Sequence, residues 1–107
     1  MNEKDYQDYI EKEYGATSKL SDLFDPPRRM FIVNDQPFVI LSVGKSPIRV
    51  HVRCDELLGK KLIAEYESIM AGHDLDPKHR ITVVGTQQLT DEQIKDLIRA
   101  AYHIVAS

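Results

Sequence analysis

The sequence contains no tryptophan and only one cysteine, Cys54. One thiol cannot form an intramolecular disulfide, so the composition does not indicate a secreted, disulfide-stabilised domain. The longest strongly apolar run, residues 38–41, is far shorter than the roughly 20 residues that a membrane-spanning helix needs. The N-terminal residues are polar and acidic and lack the apolar core of a signal peptide. These absences predict a cytoplasmic protein with no membrane partner.

The composition is otherwise that of an ordinary globular domain. The chain has 107 residues, of which 42% are apolar and 29% are charged. A chain of this length buries roughly two thirds of its unfolded surface, so we expect a single domain over residues 1–107. The formal net charge is −3. Dedicated nucleic-acid-binding domains are more often basic, so the total charge argues against that role.

The charge is unevenly distributed along the chain. Residues 1–25 have a net charge of −4 and residues 62–107 one of −3, whereas residues 26–61 have a net charge of +4. The local field of a basic segment can differ in sign from the net charge of the protein. We therefore expect an anionic partner, if there is one, to bind the middle of the chain.

Three segments have the spacing of apolar residues that is typical of amphipathic helices. They run from Asn2 or Glu3 to Tyr14, from Glu56 to Met70, and from Thr90 into the C-terminal region. Gly15 is expected to end the first helix and Gly72 the second. Asp55 can cap the second helix. The apolar stripe of this helix is Leu58, Leu62, Tyr66 and Ile69, widened by Leu57 and Ile63. Thr90 and Gln93 form the capping-box pattern.

Four short β-rich runs complete the predicted elements. They are Arg29–Val33, Phe38–Val43, Ile48–Arg53 and Arg80–Val84. Short turns join the first three, which predicts an antiparallel meander. The fold class is therefore α+β, with the order α-β-β-β-α-β-α. Two layers, an antiparallel sheet with helices on one face, are the simplest arrangement, and they leave the other face at least partly open to water.

Several segments resemble those of the MmcQ/YjbR-like family. They are Tyr9–Gly15, Val52–Asp55 with the helix that follows, Lys78–Val83, and the capped C-terminal helix with Tyr102. The resemblance covers nearly the whole chain in order and spacing. It implies a small α+β domain of the double-wing or CyaY-like kind, and a family widely labelled as DNA-binding. It implies no catalytic residues.

The sequence departs from the family pattern at two positions. Arg80 stands where family members usually have tryptophan, and Ala101 stands where they usually have serine before Tyr102. These differences bear on any role assigned to those positions and leave the expected fold unchanged.

The third strand alternates apolar and basic residues. Because strand side chains alternate, Arg49, His51 and Arg53 should share the face opposite Val50 and Val52. The candidate nucleic-acid-binding residues are Arg28, Arg29, Lys45, Arg49, His51 and Arg53. Arginines on such a face could contact phosphates. A solvated strand face, whose charges keep the sheet soluble and prevent edge pairing, explains the same pattern.

Three functional hypotheses remain open at this point. The first is a non-enzymatic domain that binds DNA weakly and in a salt-sensitive way, with few aromatic residues available to stack on bases. The second is a protein-interaction module or homodimer, docking through the open sheet face or a strand edge. The third is an enzyme that uses Cys54 near a helix N-terminus; a small residue at a strand–helix junction explains Cys54 better.

No metal or cofactor is predicted. His73 and His79 flank Asp74 and Asp76, but their spacing fits neither a zinc motif nor an EF-hand. No glycine-rich phosphate loop and no nucleophile elbow is present. We therefore expect a domain without enzymatic activity.

Overall fold

The computed structural model describes residues 1–72 and 78–107. In chain order the elements are α1 (Glu3–Tyr14), β1 (Thr17–Ser21), β2 (Arg28–Val33), β3 (Gln36–Ser42), β4 (Arg49–Arg53), α2 (Glu56–Glu65), β5 (Ile69–Ala71), β6 (Arg80–Val84) and α3 (Asp91–Ala106). The α+β class and the predicted order of elements are confirmed, and the structure adds two short strands, β1 and β5. None of the described helices is long and apolar enough to cross a membrane.

The strands form one antiparallel sheet in the order β1-β2-β3-β4-β6-β5. Asn34 and Asp35, with φ of 53° and 62°, form the tight turn between β2 and β3. Positive φ at both central residues matches the right-handed twist of paired strands, and asparagine and aspartate tolerate it. The predicted meander is therefore confirmed in β2, β3 and β4.

All three helices pack against one face of this sheet. Leu41, Val50 and Val83 are directly opposed across β3, β4 and β6 and are fully buried. Helix α3 lies over β3 and β4 and buries a single stripe. That stripe is Ile94, Ile98, Ala101 and Val105. Burying an isoleucine or valine side chain contributes about 1.5–3 kcal/mol, so the packing of α3 on the sheet is a main source of the stability of the fold.

Both long helices begin at side-chain caps. Asn2 and Asp5 form a capping box at α1, and Thr90 and Gln93 form one at α3. The Tyr6 hydroxyl donates a 2.8 Å hydrogen bond to Asp91, which fixes the start of α1 against the start of α3. This hydrogen bond holds the pKa of Asp91 below its usual range.

The prediction for the second helix was wrong at its C-terminal end. Helix α2 ends at Glu65 rather than Met70, and Tyr66 is extended, with φ −122° and ψ 123°. Ile69 then pairs with Val83, so its buried side chain belongs to a strand and not to a helical stripe. The unpaired edge of β6 accounts for the change, because a strand there satisfies backbone groups that a longer helix would leave without partners.

The apolar stripe predicted on α2 is also only partly correct. Leu62 and Tyr66 pack against the core, but Leu58 is 40% exposed and Leu57 is 78% exposed. Gly59 is the buried residue of this helix, because a Cβ there would lie 3.3 Å from Ile81 Cγ2. The helix therefore approaches the sheet through a glycine, and its leucines lie to the side.

The sequence predicted that Gly72 ends α2, but this glycine lies next to β6. Its amide donates a 3.0 Å hydrogen bond to the Arg80 carbonyl, and a Cβ at Gly72 would lie 3.0 Å from that same oxygen. Backbone atoms cannot move aside as the end of a side chain can. Glycine is therefore required by close contact between two backbones.

We predict that Gly72→Ala lowers the free energy of unfolding by about 1–3 kcal/mol, the usual cost of overpacking. Gly59→Ala is the matched control, because its new Cβ meets only a side-chain methyl at 3.3 Å and alanine favours a helix by up to about 1 kcal/mol. Urea unfolding measures both. A Gly72→Ala protein as stable as the wild type would contradict this account of the contact.

Candidate functional site

The two layers of the protein carry opposite charge. Within residues 1–72 and 78–107, none of the six strands contains aspartate or glutamate, and together they contain six lysine and arginine residues. The three helices contain ten acidic residues against six lysine and arginine residues. The sheet layer is therefore cationic and the helix layer is acidic.

Five of the six strand cations share the sheet face that lies away from the helices. Residues directly opposed in an antiparallel pair point to the same face. Arg53 is opposed to Arg80, and His51 is opposed to both Ile40 and Thr82. The same rows continue to Arg28 and Lys19 at the far edge. We call this surface the cationic face, and it comprises Lys19, Arg28, Arg49, His51, Arg53 and Arg80.

These cations differ in how much of each side chain reaches solvent. Lys19 and Arg49 are exposed and Arg53 is half-buried, whereas Arg28 and Arg80 are only 9% and 5% exposed. The Arg28 guanidinium lies 4.1 Å from the Phe24 ring centroid, a cation–π contact. Arg80 donates a 2.8 Å hydrogen bond from Nη2 to the Pro37 carbonyl. Lys19, Arg49 and Arg53 are thus the cations that a ligand can reach.

Two residues predicted for this surface lie elsewhere. Arg29 is opposed to the fully buried Leu41, which places it on the helix side of the sheet. It was wrongly grouped with Arg28, because consecutive strand residues point to opposite faces. Lys45 is exposed in the turn between β3 and β4, near Glu3 of α1, and is not on a strand.

Two residues of the cationic face, Lys19 and Arg80, were not predicted from the sequence. Lys19 was missed because β1 has few apolar residues and was not predicted to be a strand. Arg80 belongs to a strand that was predicted with the correct bounds, and its alternation with Ile81 and Val83 could have placed it on this face.

His51 lies on the predicted face but is only 7% exposed. Its Nε2 is 2.8 Å from Ser42 Oγ, and its Nδ1 is 2.7 Å from Thr82 Oγ1. Each hydroxyl can donate or accept, so a neutral imidazole is accommodated in either tautomer. The expectation that His51 lines a solvent-exposed face was wrong, because this hydrogen-bonded chain across three strands lies within the protein.

The Ser42–His51–Thr82 chain has the spacing of a nucleophile and its base without the rest of such a site. In a catalytic triad a carboxylate orients the histidine and stabilises the imidazolium, and here a threonine hydroxyl occupies that position. All three side chains are also buried, with 4%, 7% and 5% exposure. A substrate could not reach Ser42, so the chain is best explained as a polar network that aligns β3, β4 and β6.

Cys54 is a buried thiol beside a small cleft of about 120 Å³, lined also by Gly59, Ile63 and Ile81. Burial, followed by the negative charge of Asp55, raises the pKa of the Cys54 thiol. The N-terminus of α2 is already capped by Asp55, which accepts a hydrogen bond from the Leu58 amide. The strand–helix junction at Cys54, which suggested an activated thiolate, therefore keeps the thiol protonated instead.

Residues 1–72 and 78–107 contain no group of three or more histidine, cysteine, aspartate or glutamate side chains that could hold a metal ion. The segment from His73 to Pro77, with Asp74 and Asp76, lies outside the described residues. His79 is described and is exposed.

Comparison with known proteins identifies the fold and the family. A crystal structure of a Deinococcus radiodurans protein with a DUF419 domain has a TM-score of 0.83 at 23% identity, covering 100% of this chain and 80% of that chain. A crystal structure of a Pseudomonas syringae protein has a TM-score of 0.81 at 19% identity, covering 98% and 99%. At these identities the likeness concerns the fold alone. A comparison with curated proteins gives no significant match.

The structure thus defines a two-layer α+β domain with one cationic sheet face. The YjbR family model matches residues 14–104, which is most of the chain. This chain belongs to the YjbR family, and the resemblance recognised in its sequence segments is confirmed.

We predict that Cys54 reacts with a thiol reagent such as DTNB about tenfold or more slowly in the folded protein than in the unfolded chain, because opening must precede attack. Asp55→Asn keeps a good helix cap and removes the neighbouring charge, so it should lower the pKa of the thiol and speed the reaction slightly. Labelling of the native protein as fast as that of a free thiol would contradict the burial of Cys54.

Proposed function

We propose that this protein is a cytoplasmic, non-enzymatic domain that binds duplex DNA through the cationic face of its sheet. The observation that carries the proposal is the separation of charge between the layers, with no acidic residue in the strands of the described part of the chain. Such a separation orients a protein of net charge −3, because a polyanion attracts the sheet and repels the helices.

The accessible cations support weak binding that depends on salt. Lys19, Arg49 and Arg53 are the cationic-face residues that solvent reaches most. Each phosphate neutralised adds about 0.9 to the slope of log affinity against log salt concentration. Three contacts would give a slope of about −2.7, much less steep than the slope of a high-affinity DNA-binding protein.

The character of the face favours the backbone of a duplex over unpaired bases. The strand positions between the cations are Met30, Ile40, Thr82 and Met70, none of them aromatic. A ring beside this face, that of Phe24, already packs on the Arg28 guanidinium. Single-strand binders rely on aromatic side chains that stack on bases. Phe38 lies in the core against Tyr14 and Tyr102 and is not available for stacking. Arginine contacts to phosphate are independent of base sequence.

The absence of enzymatic activity is part of the same proposal. The buried Cys54 with its raised pKa and the buried Ser42–His51–Thr82 chain are the two groupings of described residues that most resemble catalytic ones. Neither has both an activated nucleophile and access for a substrate.

We predict that Arg49→Ala/Arg53→Ala reduces the slope of log affinity against log salt for duplex DNA by about 1.8, because two phosphate contacts are lost. Lys60→Ala/Lys61→Ala, on α2, is the matched control, because it removes the same charge from the helix layer. Fluorescence anisotropy with labelled duplex at several salt concentrations measures both proteins.

The control double variant should retain the slope of the wild-type protein. Equal losses in the two double variants would mean that only net charge matters and would exclude a site on the cationic face. Absence of binding by the wild-type protein at low salt would refute the proposed function itself.

A further inference from the structure

Strand β1 leaves one edge of the sheet available for pairing. All five of its residues pair with β2 on one side, and no described residue pairs with it on the other. An exposed strand edge presents unpaired N–H and C=O groups that can hydrogen-bond to a further strand. The opposite edge, β5, has only three residues and is followed at once by Gly72. The β1 edge is therefore the longer docking surface.

Exposed apolar side chains accompany this edge. Leu20, within β1, is 53% exposed, and Leu23 and Phe24, just beyond it, are 89% and 36% exposed. Three large apolar residues within five positions form the densest group of exposed apolar side chains along the described chain. Clusters of this kind indicate sites of interaction with another molecule.

The edge strand β1 and its neighbour β2 carry charge of one sign. Lys19, Arg28 and Arg29 belong to β1 and β2, and neither strand contains an acidic residue. Lys19 lies on the cationic face, and Leu20 lies on the helix side, opposed to Arg29. Asp22 and Asp25 are in the loop beyond the end of β1. An added strand would therefore lie beside one accessible cation of the edge strand, Lys19.

We propose that the β1 edge binds an extended segment of a partner protein as a seventh strand. The segment would alternate acidic and apolar side chains, with an acid beside Lys19 and an apolar residue beside Leu20. Backbone hydrogen bonds supply affinity in this mode of recognition, and alternate side chains supply specificity. The argument for this edge does not rest on the proposed binding of DNA.

A second copy of this chain fits the edge less well. Pairing of β1 with β1 of another copy brings two lysines to the same sheet face and offers neither of them an acidic partner. Like charges close together across strands are destabilising. An edge lysine is also a common device against association of identical edges. The chemistry of the edge thus selects an acidic strand over its own sequence.

The test uses synthetic seven-residue peptides that alternate valine with glutamate or valine with lysine. We expect the acidic peptide to bind saturably and about tenfold or more tightly than the basic one, a difference of about 1.4 kcal/mol. The acidic peptide N-methylated throughout should not bind, because it has no N–H groups to donate and its methyl groups keep it from approaching the edge. Fluorescence anisotropy gives the affinities, and amide hydrogen exchange should show new protection in β1.

Two substitutions of exposed residues locate the site. Lys19→Glu should reverse the preference, so that the basic peptide binds more tightly. Leu20→Ser should weaken binding, whereas Leu57→Ser, which removes a leucine 78% exposed on α2, should leave it unchanged. Circular dichroism checks that each variant is folded, and the peptide series is informative on the unmodified protein.

Three results would overturn the proposal. Equal affinity for both peptide charges would remove the electrostatic selection, and binding of the N-methylated peptide would exclude strand addition. Sedimentation that shows a dimer dissociated by Leu20→Ser would make a second copy the occupant of the edge.

Discussion

The fold depends on the packing of alternate residues of β4 beneath α3. This strand pairs with β3 on one side and β6 on the other, and its Val50 and Val52 are fully buried. A shift of register by one residue would exchange them for Arg49, His51 and Arg53. Burying the two arginines without partners against α3 would cost more free energy than strand pairing contributes. The helix layer thereby fixes the register, and the register places the basic side chains together.

The elements with strong local signals were predictable from the sequence. Helices α1 and α3 have capping boxes and regular apolar spacing, and the β2–β3 turn has the Asn-Asp pair that tolerates positive φ. Strand β1, with Leu20 as its single apolar residue, has no alternation to detect. The end of α2 was not predicted correctly because Ile69 continues the helical spacing of apolar residues. In the structure Ile69 pairs with Val83 at the edge of β6 and belongs to a strand.

The site was predictable in part for the same reason. Period-two alternation correctly placed Arg49, His51 and Arg53 on one face, but it carries no information on depth. His51 can be buried because Ser42 and Thr82, nine and 31 residues away in sequence, lie on the neighbouring strands and satisfy both ring nitrogens. Arg29 was predicted on the same face as Arg28, although consecutive strand residues point to opposite faces. Lys19 lies on the cationic face because β1 pairs with β2, a pairing that the sequence did not predict.

The cationic face and the β1 edge meet at Lys19. A strand added to β1 would widen the sheet beyond this residue, and an acidic side chain beside Lys19 would neutralise one of the accessible cations. Strand addition would therefore weaken contacts with DNA by about one phosphate, and the two kinds of ligand would compete.

An NMR titration of the labelled protein with a short duplex at low salt tests directly whether DNA binds the cationic face. We expect amide and arginine side-chain shifts to change around Arg49, Arg53 and Lys19, while those of α1 and α3 stay unaffected. Shift changes confined to the helices, or none at all, would contradict the assignment of the cationic face as the binding surface.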